Sequence, residues 1–404
     1  MEYKSILRLL LKHLPLKKEI VFFSFSGQYC DNPLYISQEV HALHPKYDIV
    51  WLISEASREA ERLPEYIKVV PYGSLKALIH LCQAKVIVDN YAGLYFGYCN
   101  RTLLPFYMQL KKRRQFNIST WHGTPLKKIG IDSFKGRKDL LFFSSTDIIV
   151  AGNQYEKKIF STAFSKDVPT VVIGSPRDDI LLNSGISKSE SLAVLGLSEQ
   201  FKYVIYAPTF RDYEKKFTQA NQINLLDQIN INQLMNALET RFGGEWRLIA
   251  RGHQMVQKHI CRESCLDERV IDGNEHDDMS LYLNACDVLI TDYSSSMFDF
   301  LLTEKPCFLF VPDKDYYISQ DRGVYMDMDS LPFDQCKTNG ELTNAIRDYN
   351  EQLMLNKRDI FRQKLGYPMT NKSSETVVKI IDEVLKSSPR QYAKIVDKYI
   401  HRIG

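Results

Sequence analysis

Short apolar runs alternate with amphipathic stretches along most of the chain. Between residues 19 and 177 the strand-like runs are EIVFFSFSG, YDIVWLIS, IKVVPYG, AKVIVDN, FNISTWHG, DIIVAGN and TVVIGSPR. The stretches between them have helical periodicity. In SLKALIHLCQA, Ser74 can cap the helix, and Leu75, Leu78 and Cys82 share one face. Continuous apolar strands that alternate with helices indicate a parallel sheet covered on both faces.

The same alternation starts again after a polar joint, NSGISKSES, at residues 183–191. The second series of strand-like runs is FKYVIYAPTF, WRLIARGH, RVIDG, DVLITDYS and KPCFLFVPD. The pattern predicts an α/β protein with two doubly wound, Rossmann-like domains that face each other across a cleft. We expect an N-terminal domain at residues 1–182, a C-terminal domain at residues 183–370, and a helical tail at residues 371–404 that could pack against either domain.

Composition and charge narrow the class of protein. The 404 residues are 44% hydrophobic and 25% charged, as in globular proteins, and a net charge of +3 gives no reason to expect a nucleic-acid partner. The eight cysteines mostly lie in apolar runs, which is typical of reduced cysteines in a cytoplasmic protein. Cys261, Cys265, His253 and His259 are close in sequence, but their spacing matches no familiar zinc pattern.

Two segments could touch a membrane, although no apolar run approaches the roughly 18 residues that span a bilayer. The first 19 residues are rich in leucine, but Lys12, His13 and Lys17 interrupt them and no signal-peptide cleavage site follows. This basic amphipathic end, or the segment RTLLPFYMQLKKRR at residues 101–114, could rest on a membrane surface. A solvated surface segment is the alternative for both.

Polar motifs follow several strands, at the edge where parallel sheets bind their ligands. In VLITDYSSSMFDFLL the strand ends at Thr291 and Asp292, and Ser294, Ser295 and Ser296 open a helix. Free backbone N–H groups, the helix dipole and serine hydroxyls suit a phosphate group. A simple serine N-cap is the alternative, and Asp292 could either cap the helix or bind a ligand hydroxyl.

Three further strand ends carry arginine. In WRLIARGHQ, a glycine lets the backbone bend between Arg251 and His253, which together suit a phosphate. In YAPTFRD the strand breaks at a proline, and Thr209 and Arg211 follow. In GSPRDD, Arg177 could simply pair with a neighbouring aspartate. A structural or surface turn is the alternative for each of these motifs.

The stretch ISTWHGTPLKKIG contains a candidate reacting histidine. Gly123 permits a tight turn, and Pro125 suits the first turn of a helix. His122 is therefore expected at the last strand position before a helix N-terminus, where it could act as a general base. A buried structural histidine is the alternative.

Six motifs follow one another between about residue 85 and residue 330: WHGTPLK, GSPRDD, APTFRD, RGH, LITDYSSSMFDF and DRGVYMD. In this combination and order the chain resembles the CDP-glycerol glycerophosphotransferases, the primases and polymerases of teichoic-acid synthesis. The resemblance implies a fold similar to that of the two-domain GT-B glycosyltransferases. It also implies that CDP-glycerol, or a relative such as CDP-ribitol, binds mainly to the second domain. No DxD-like carboxylate pair ends a strand, so neither a metal nor a cofactor is expected.

The resemblance also implies roles for individual residues. His122 and His253 are the expected functional pair, with His122 as the base and His253 neutralising the donor pyrophosphate. The family more often has proline after the second histidine, where this chain has Gln254. The expected donor-binding residues are Thr209, Arg211, Arg251, Thr291, Asp292, Ser294, Ser295, Ser296 and Arg322. The expected acceptor-binding residues are Gly123, Thr124, Lys127 and Lys128.

The expected reaction moves glycerol phosphate from CDP-glycerol to a hydroxyl of a prenyl-linked or poly(glycerol phosphate) acceptor and releases CMP. A lipid-linked acceptor would bring this bacterial enzyme to the cytoplasmic face of the cell membrane. The alternatives are a ribitolphosphotransferase that uses CDP-ribitol, a capsule polymer synthase, and a GT-B glycosyltransferase that uses a nucleotide sugar. A non-catalytic scaffold would have no need for His122, His253 and the serine cluster.

Overall fold

The structure, a computed structural model of the chain, divides into two compact units. The first unit combines Met1–His122, Arg137–Asp179 and Tyr367–Gly404, and the second combines Gly123–Gly136 and Ile180–Gly366. The sequence predicts domain boundaries after residues 182 and 370, and the structure divides after residues 179 and 366. The residues described are 9–25, 27–91, 111–133, 145–164, 168–182, 186–209, 225–252, 267–320, 323–368 and 370–401.

Within these residues the strands are β1 (Lys17–Phe23), β2 (Asp48–Ile53), β3 (Ile67–Pro71), β4 (Ala84–Asp89), β5 (Phe116–Ser119), β6 (Ile148–Ala151), β7 (Thr170–Val172), β8 (Lys202–Tyr206), β9 (Trp246–Ala250), β10 (Val270–Asp272), β11 (Val288–Thr291), β12 (Cys307–Phe310) and β13 (Asp334–Cys336). They form one parallel sheet in each unit. The order is β3-β2-β1-β4-β5-β6-β7 in the first sheet and β10-β9-β8-β11-β12-β13 in the second.

The helices are α1 (Asp31–Leu43), α2 (Leu75–Gln83), α3 (Gln154–Ala163), α4 (Lys188–Val194), α5 (Ile231–Phe242), α6 (Met279–Ala285), α7 (Ser296–Phe300), α8 (Lys314–Gln320), α9 (Asn339–Arg347), α10 (Glu351–Leu365), α11 (Ser373–Lys386) and α12 (Tyr392–His401). Short 3-10 helices lie at Gly130–Asp132, Pro176–Leu182, Leu225–Gln228, Leu301–Thr303, Met328–Ser330 and Pro389–Gln391. The predicted cap of α2 is present, because the Ala77 N–H donates to Ser74 Oγ at 3.0 Å.

The central strands of the first sheet are buried on both faces. Ile20, Phe22, Trp51, Val86 and Val88 have no exposed surface. Burying each such side chain contributes roughly 1.5–3 kcal/mol to folding. The long apolar runs of the sequence therefore become the interior strands of a covered parallel sheet.

Helix α11 completes the core of the first unit, although it lies near the end of the chain. Its apolar face supplies Val377, Val378, Ile380, Ile381, Val384 and Leu385 to this core. At its N-terminus the Asp179 carboxylate accepts from the N–H groups of Ser373 (3.0 Å) and Ser374 (2.7 Å). At its C-terminus Lys85 Nζ donates to the Leu385 carbonyl at 3.0 Å. Both contacts complement the helix dipole and satisfy end groups that the helix itself leaves unbonded.

The second sheet has its own core. Val204, Leu248, Ile290 and Phe308 are fully or almost fully buried, and Trp246 is 1% exposed. Helices α5 and α9 pack against each other beside this sheet. The described cysteines Cys30, Cys82, Cys286, Cys307 and Cys336 are free and buried. This agrees with the reduced, core-packed cysteines that the sequence predicts.

Each sheet has one switch point, a pair of neighbouring strands at which the chain connections turn to opposite sides. The pair is β1 and β4 in the first sheet, and β8 and β11 in the second. Ligands of doubly wound sheets bind beyond the carboxyl ends of such strands. The predicted fold class, with two doubly wound α/β sheets in tandem, is confirmed.

Candidate active site

His122 lies three residues beyond the end of β5, beside the switch point of the first sheet. Its Nδ1 is 2.8 Å from the carbonyl oxygen of Asn90, the residue that follows β4. A carbonyl can only accept, so Nδ1 must carry the proton in this contact. In the neutral ring Nε2 then keeps its lone pair. This is the tautomer that a general base requires.

The electrostatic surroundings keep this ring neutral. Burial lowers the pKa of His122 below its ordinary value. The Asn90 carbonyl and the Asp31 carboxylate act in the opposite direction, and the Arg177 guanidinium lowers the pKa further. Because the net shift is downward, the unprotonated imidazole predominates at pH 7. His122 is therefore ready to accept a proton.

Asn90 joins the switch point to the histidine. Its Oδ1 accepts from the Phe25 N–H at 3.0 Å, and its Nδ2 donates to Ser24 Oγ at 2.8 Å. Both partners follow β1, whereas Asn90 follows β4 and its carbonyl binds His122. Asn90 is fully buried. Asn90 thus joins the ends of β1 and β4 through its side chain and orients the imidazole through its backbone carbonyl.

Aromatic rings enclose the imidazole. The ring of Trp121 stacks on His122 with centroids 4.1 Å apart, and Tyr91 stacks at 5.7 Å. Phe25 contacts it edge-on at 5.4 Å. These contacts restrict the orientation of the histidine and exclude water from part of its surface, which accounts for the lowered pKa.

Backbone strain is concentrated around the same residue. Among the described residues, Phe25, Asp31, Trp121 and Glu304 are the non-glycine residues with positive φ. The first three surround His122, and their φ values are 37°, 64° and 51°. Such conformations cost of order 1–3 kcal/mol each and persist only where the surrounding contacts enforce them. Their clustering supports a functional role for this part of the molecule.

Two predicted motifs meet at the switch point of the second sheet. The Asp292 carboxylate, which follows β11, accepts from the Thr209 N–H at 2.9 Å and 3.0 Å and also from the Thr209 hydroxyl. The Thr291 hydroxyl donates to the Ala207 carbonyl at 2.7 Å. Asp292 is 1% exposed, whereas Thr209 is partly exposed. Asp292 and Thr291 therefore hold the chain from Ala207 to Thr209 in place.

The three serines begin α7, as predicted, but this helix has only five residues. Ser294 Oγ accepts from the Ser296 N–H at 3.3 Å and from Ser296 Oγ at 2.9 Å, so Ser294 acts as a local cap. The side chain of Ser295 forms no cap hydrogen bond. Ser294 and Ser295 are partly exposed, and Ser296 is buried.

Arg251 lies at the predicted strand end, but its side chain is buried. Its guanidinium donates to the carbonyls of Gly273, His276 (2.9 Å) and Asp277 (2.8 Å). It also lies over the ring of Tyr282, 4.6 Å from the centroid. These contacts shape the loop that follows β10.

The expected acceptor-binding residues lie in irregular chain that forms no helix before Gly130, so the predicted helix after Pro125 is wrong. Lys127 pairs with Val324 in an antiparallel bridge, and the Lys128 N–H donates to the Gly323 carbonyl at 3.0 Å. Gly123 has a φ of 127°, and Thr124 is buried. The segment binds a neighbouring loop in place of forming its own helical hydrogen bonds.

Some predictions fall outside the described residues. Arg211, His253 and Arg322 lie there, and so do Cys261, Cys265 and His259. The same holds for residues 1–8 and 101–110 of the two basic segments. Of the block KKRR, Lys111 Nζ binds Asp147 at 2.6 Å and Lys112 Nζ binds the Cys82 carbonyl at 2.7 Å. Arg113 and Arg114 are exposed.

Across the described ranges, no three His, Cys, Asp or Glu side chains are grouped so that they could hold a metal ion. Among those same residues, no helix has the length and apolar character needed to span a bilayer.

Sequence reasoning missed three polar residues that surround His122. Asn90 ends the run AKVIVDN, so the strand-end criterion applied to the other motifs could have found it. Asp31 and Asn32 begin α1, where they resemble ordinary helix-capping residues. Nothing in their local sequence indicates that they contact residues more than 80 positions away.

Two doubly wound sheets, each with polar residues at its switch point, define a two-domain α/β protein. The chain belongs to the CDP-glycerol:poly(glycerophosphate) glycerophosphotransferase family, whose sequence model matches residues 6–383. The family predicted from the motifs is therefore confirmed.

Similar proteins include the teichoic acid poly(glycerol phosphate) polymerases of two Bacillus species. The Bacillus spizizenii protein is 30% identical over 91% of this chain and 92% of its own length. The Bacillus subtilis protein is 28% identical over 94% of this chain, which spans only 50% of that relative. A structure of the wall teichoic acid polymerase TagF with CDPG has 27% identity and a TM-score of 0.77, covering 95% of this chain and 93% of the other.

Proposed function

We propose that the chain transfers glycerol phosphate from CDP-glycerol to a hydroxyl of a prenyl-linked or poly(glycerol phosphate) acceptor in teichoic-acid synthesis, with release of CMP. Family membership supports the donor and the reaction type. The observation that carries the proposal is the His122 contact, in which the Asn90 carbonyl holds Nδ1–H and leaves Nε2 free to accept a proton.

In the proposed reaction the acceptor oxygen attacks the phosphorus that bears the glycerol. The bond from this phosphorus to the bridging oxygen breaks, and CMP leaves with that oxygen. His122 Nε2 takes the proton of the attacking hydroxyl. Phosphoryl transfer of this kind depends mainly on alignment and on neutralising the charge of the leaving group.

The proposed donor-binding groups have two roles. Ser294, Ser295 and Thr209 are partly exposed and can offer hydroxyl or N–H donors to the pyrophosphate. Asp292 and Arg251 already bind protein groups, so they act by holding the loops in place. Arg211, His253 and Arg322 remain proposed phosphate contacts. Gly123, Thr124, Lys127 and Lys128 remain proposed acceptor contacts.

The test of this function is incubation of the protein with CDP-glycerol and a synthetic prenyl-linked acceptor, followed by CMP measurement and mass analysis of the product. The number of glycerol phosphate units found per acceptor separates a primase from a polymerase. Parallel reactions with CDP-ribitol and a UDP-sugar separate the alternative donors. Release of CMP without transfer of glycerol phosphate to the acceptor would contradict the proposal.

A prenyl-linked acceptor would require contact with the cytoplasmic face of the membrane, and we include this contact in the proposal. Leu9 and Leu10 are 60% and 62% exposed, and Lys12 beside them is exposed as well. Arg113 and Arg114 add exposed positive charge. Apolar side chains flanked by cations are typical of interfacial binding to anionic lipid.

Flotation with liposomes containing anionic lipid tests the membrane contact. We expect Leu9→Ser/Leu10→Ser to reduce binding, while Leu353→Ser, at an exposed leucine of the second unit, leaves it unchanged. Equal binding of the double variant and the unaltered protein would remove these leucines from the proposal.

A further inference from the structure

A buried polar network lies behind His122 and joins two distant parts of the chain. Arg177 Nη1 donates to Asp31 Oδ2 at 2.8 Å, and the Arg177 N–H donates to Asn32 Oδ1 at 3.0 Å. Asn32 Nδ2 in turn donates to the Trp121 carbonyl at 3.2 Å. Asp31, Asn32 and Arg177 are 7%, 1% and 6% exposed. The network thus ends on the residue directly before His122.

This network holds strained backbone in place. Asp31 and Trp121 both have positive φ, which side-chain-bearing residues rarely adopt. The Asn32 amide fixes the direction of the Trp121 carbonyl, and the Trp121 ring stacks on the imidazole at 4.1 Å. The Thr120 hydroxyl also donates to this carbonyl at 3.2 Å, but the Asn32 amide is the contact that ties it to α1, so its loss favours relaxation of the Trp121 backbone and movement of His122.

The network also places two opposite charges near the imidazole. The Asp31 carboxylate raises the pKa of His122, and the Arg177 guanidinium lowers it. Because the two groups are bonded to each other, their opposite effects on the pKa of His122 partly offset, and burial still keeps that pKa below its ordinary value. Two other carboxylates belong to these surroundings. Asp89 accepts from the Tyr91 N–H at 2.8 Å, and Asp178 lies 3.8 Å from Arg177 Nε.

We propose that Asp31, Asn32 and Arg177 are positioning residues for His122. This rests on the proposed function for the role of His122 as the base. Asn32 links the network to the Trp121 backbone, and Asp31 and Arg177 form a bonded pair of opposite charges within it. The GSPRDD motif therefore acts in the reaction through His122, in addition to binding α11 through Asp179.

The experiment measures the protonation of His122 and the reaction rate in the same set of variants. NMR titration of histidine-labelled full-length protein gives the midpoint for His122, whose signal is assigned with His122→Gln. We expect Asp31→Asn to lower this midpoint, because it removes the carboxylate, and Arg177→Met to raise it. The double variant should return the midpoint toward that of the unaltered protein.

The rate of CMP release tests the mechanical part. Asn32→Ala removes no charge, so we expect a smaller change in the NMR midpoint of His122 than in Asp31→Asn or Arg177→Met, while kcat falls about 10²-fold, the scale expected for a misplaced reacting group. Asp48→Asn and Arg390→Met, the same substitutions at exposed positions, are the controls and should change neither quantity. Circular dichroism and thermal melting identify any variant that fails to fold.

Midpoints that stay unchanged, or that move in the same direction in Asp31→Asn and Arg177→Met, would overturn the electrostatic part of the inference. An unchanged kcat in folded Asn32→Ala would overturn the mechanical part. The NMR midpoints need no substrate. Opposite shifts would therefore support the pairing of Asp31 and Arg177 even if CDP-glycerol were not the donor. CMP release with unchanged midpoints would support the proposed function and overturn the electrostatic part of this inference.

Discussion

The two switch points have the same topology and different internal chemistry. At β1 and β4 the polar residues converge on one ring and three strained residues lie around it, and among the described residues none forms a hydrogen bond with Nε2 of His122. At β8 and β11 the Asp292 carboxylate accepts hydrogen bonds from Thr209. None of the residues 288–296 has positive φ. Strained backbone and aromatic rings therefore surround the residue proposed to react. The residues proposed to bind the donor lie in unstrained loops and have partly exposed hydroxyl groups.

The largest effect should come from the histidine of the first site. His122→Ala removes the proposed base, so we expect the rate of CMP release to fall about 10²–10⁴-fold. CDP-glycerol binding, measured by calorimetry, should change little. His41→Ala, in the last turn of α1, is the control and should retain activity. Turnover near that of the unaltered protein would eliminate His122 as the base.

Asn90→Ala should have the next largest effect, because it releases the ends of β1 and β4 together. We expect a rate loss of about 10²-fold from misplacement of His122. The Ser24 hydroxyl and the Phe25 N–H also lose their partner, which should cost about 1–3 kcal/mol of unfolding free energy. Asn153→Ala, at a fully buried asparagine that caps α3, should cost similar stability with little change in rate. A rate loss no greater than in Asn153→Ala would mean that Asn90 is only structural.

At the second switch point, Asp292→Asn should weaken donor binding more than it slows the reaction. The amide offers one acceptor oxygen where the carboxylate offers two, so the Thr209 loop is held less firmly. We expect the Kd for CDP-glycerol to rise about tenfold, or about 1.4 kcal/mol. Asp287→Asn, at the opposite end of β11, disturbs a similar contact to the Tyr203 N–H and should leave the Kd unchanged. A selective fall in kcat would contradict the contrast between the two sites.

The smallest effect should come from Ser294→Ala/Ser295→Ala. These hydroxyls are partly exposed, and we expect a few-fold rise in the Kd for CDP-glycerol, the loss of about one net hydrogen bond of 0.5–1.5 kcal/mol. Ser187→Ala removes the cap of α4 and provides the control for lost helix capping alone. If donor affinity is the same in both variants, the serines of α7 are only caps.

The sequence pattern predicted nearly all of the sheet but only part of the site. Every described strand except β13 lies in or largely within a predicted apolar run, because buried strands have a clear apolar signal, whereas Asp334–Cys336 consists of two polar residues and one cysteine. The strand-end rule found His122, Thr209 and Asp292. It could not show that Asn32 bonds to Trp121, 89 residues away, because such contacts depend on how the strands are ordered in the sheet.

The helix that closes the first core also determines the order in which the protein can form during synthesis. All residues of the second unit precede Tyr367, so its core can close while the ribosome is still making the rest of the chain. The first unit must wait for α11, even though its strands emerge earliest. The surroundings of His122 are therefore among the first residues to be translated and among the last to take their final structure.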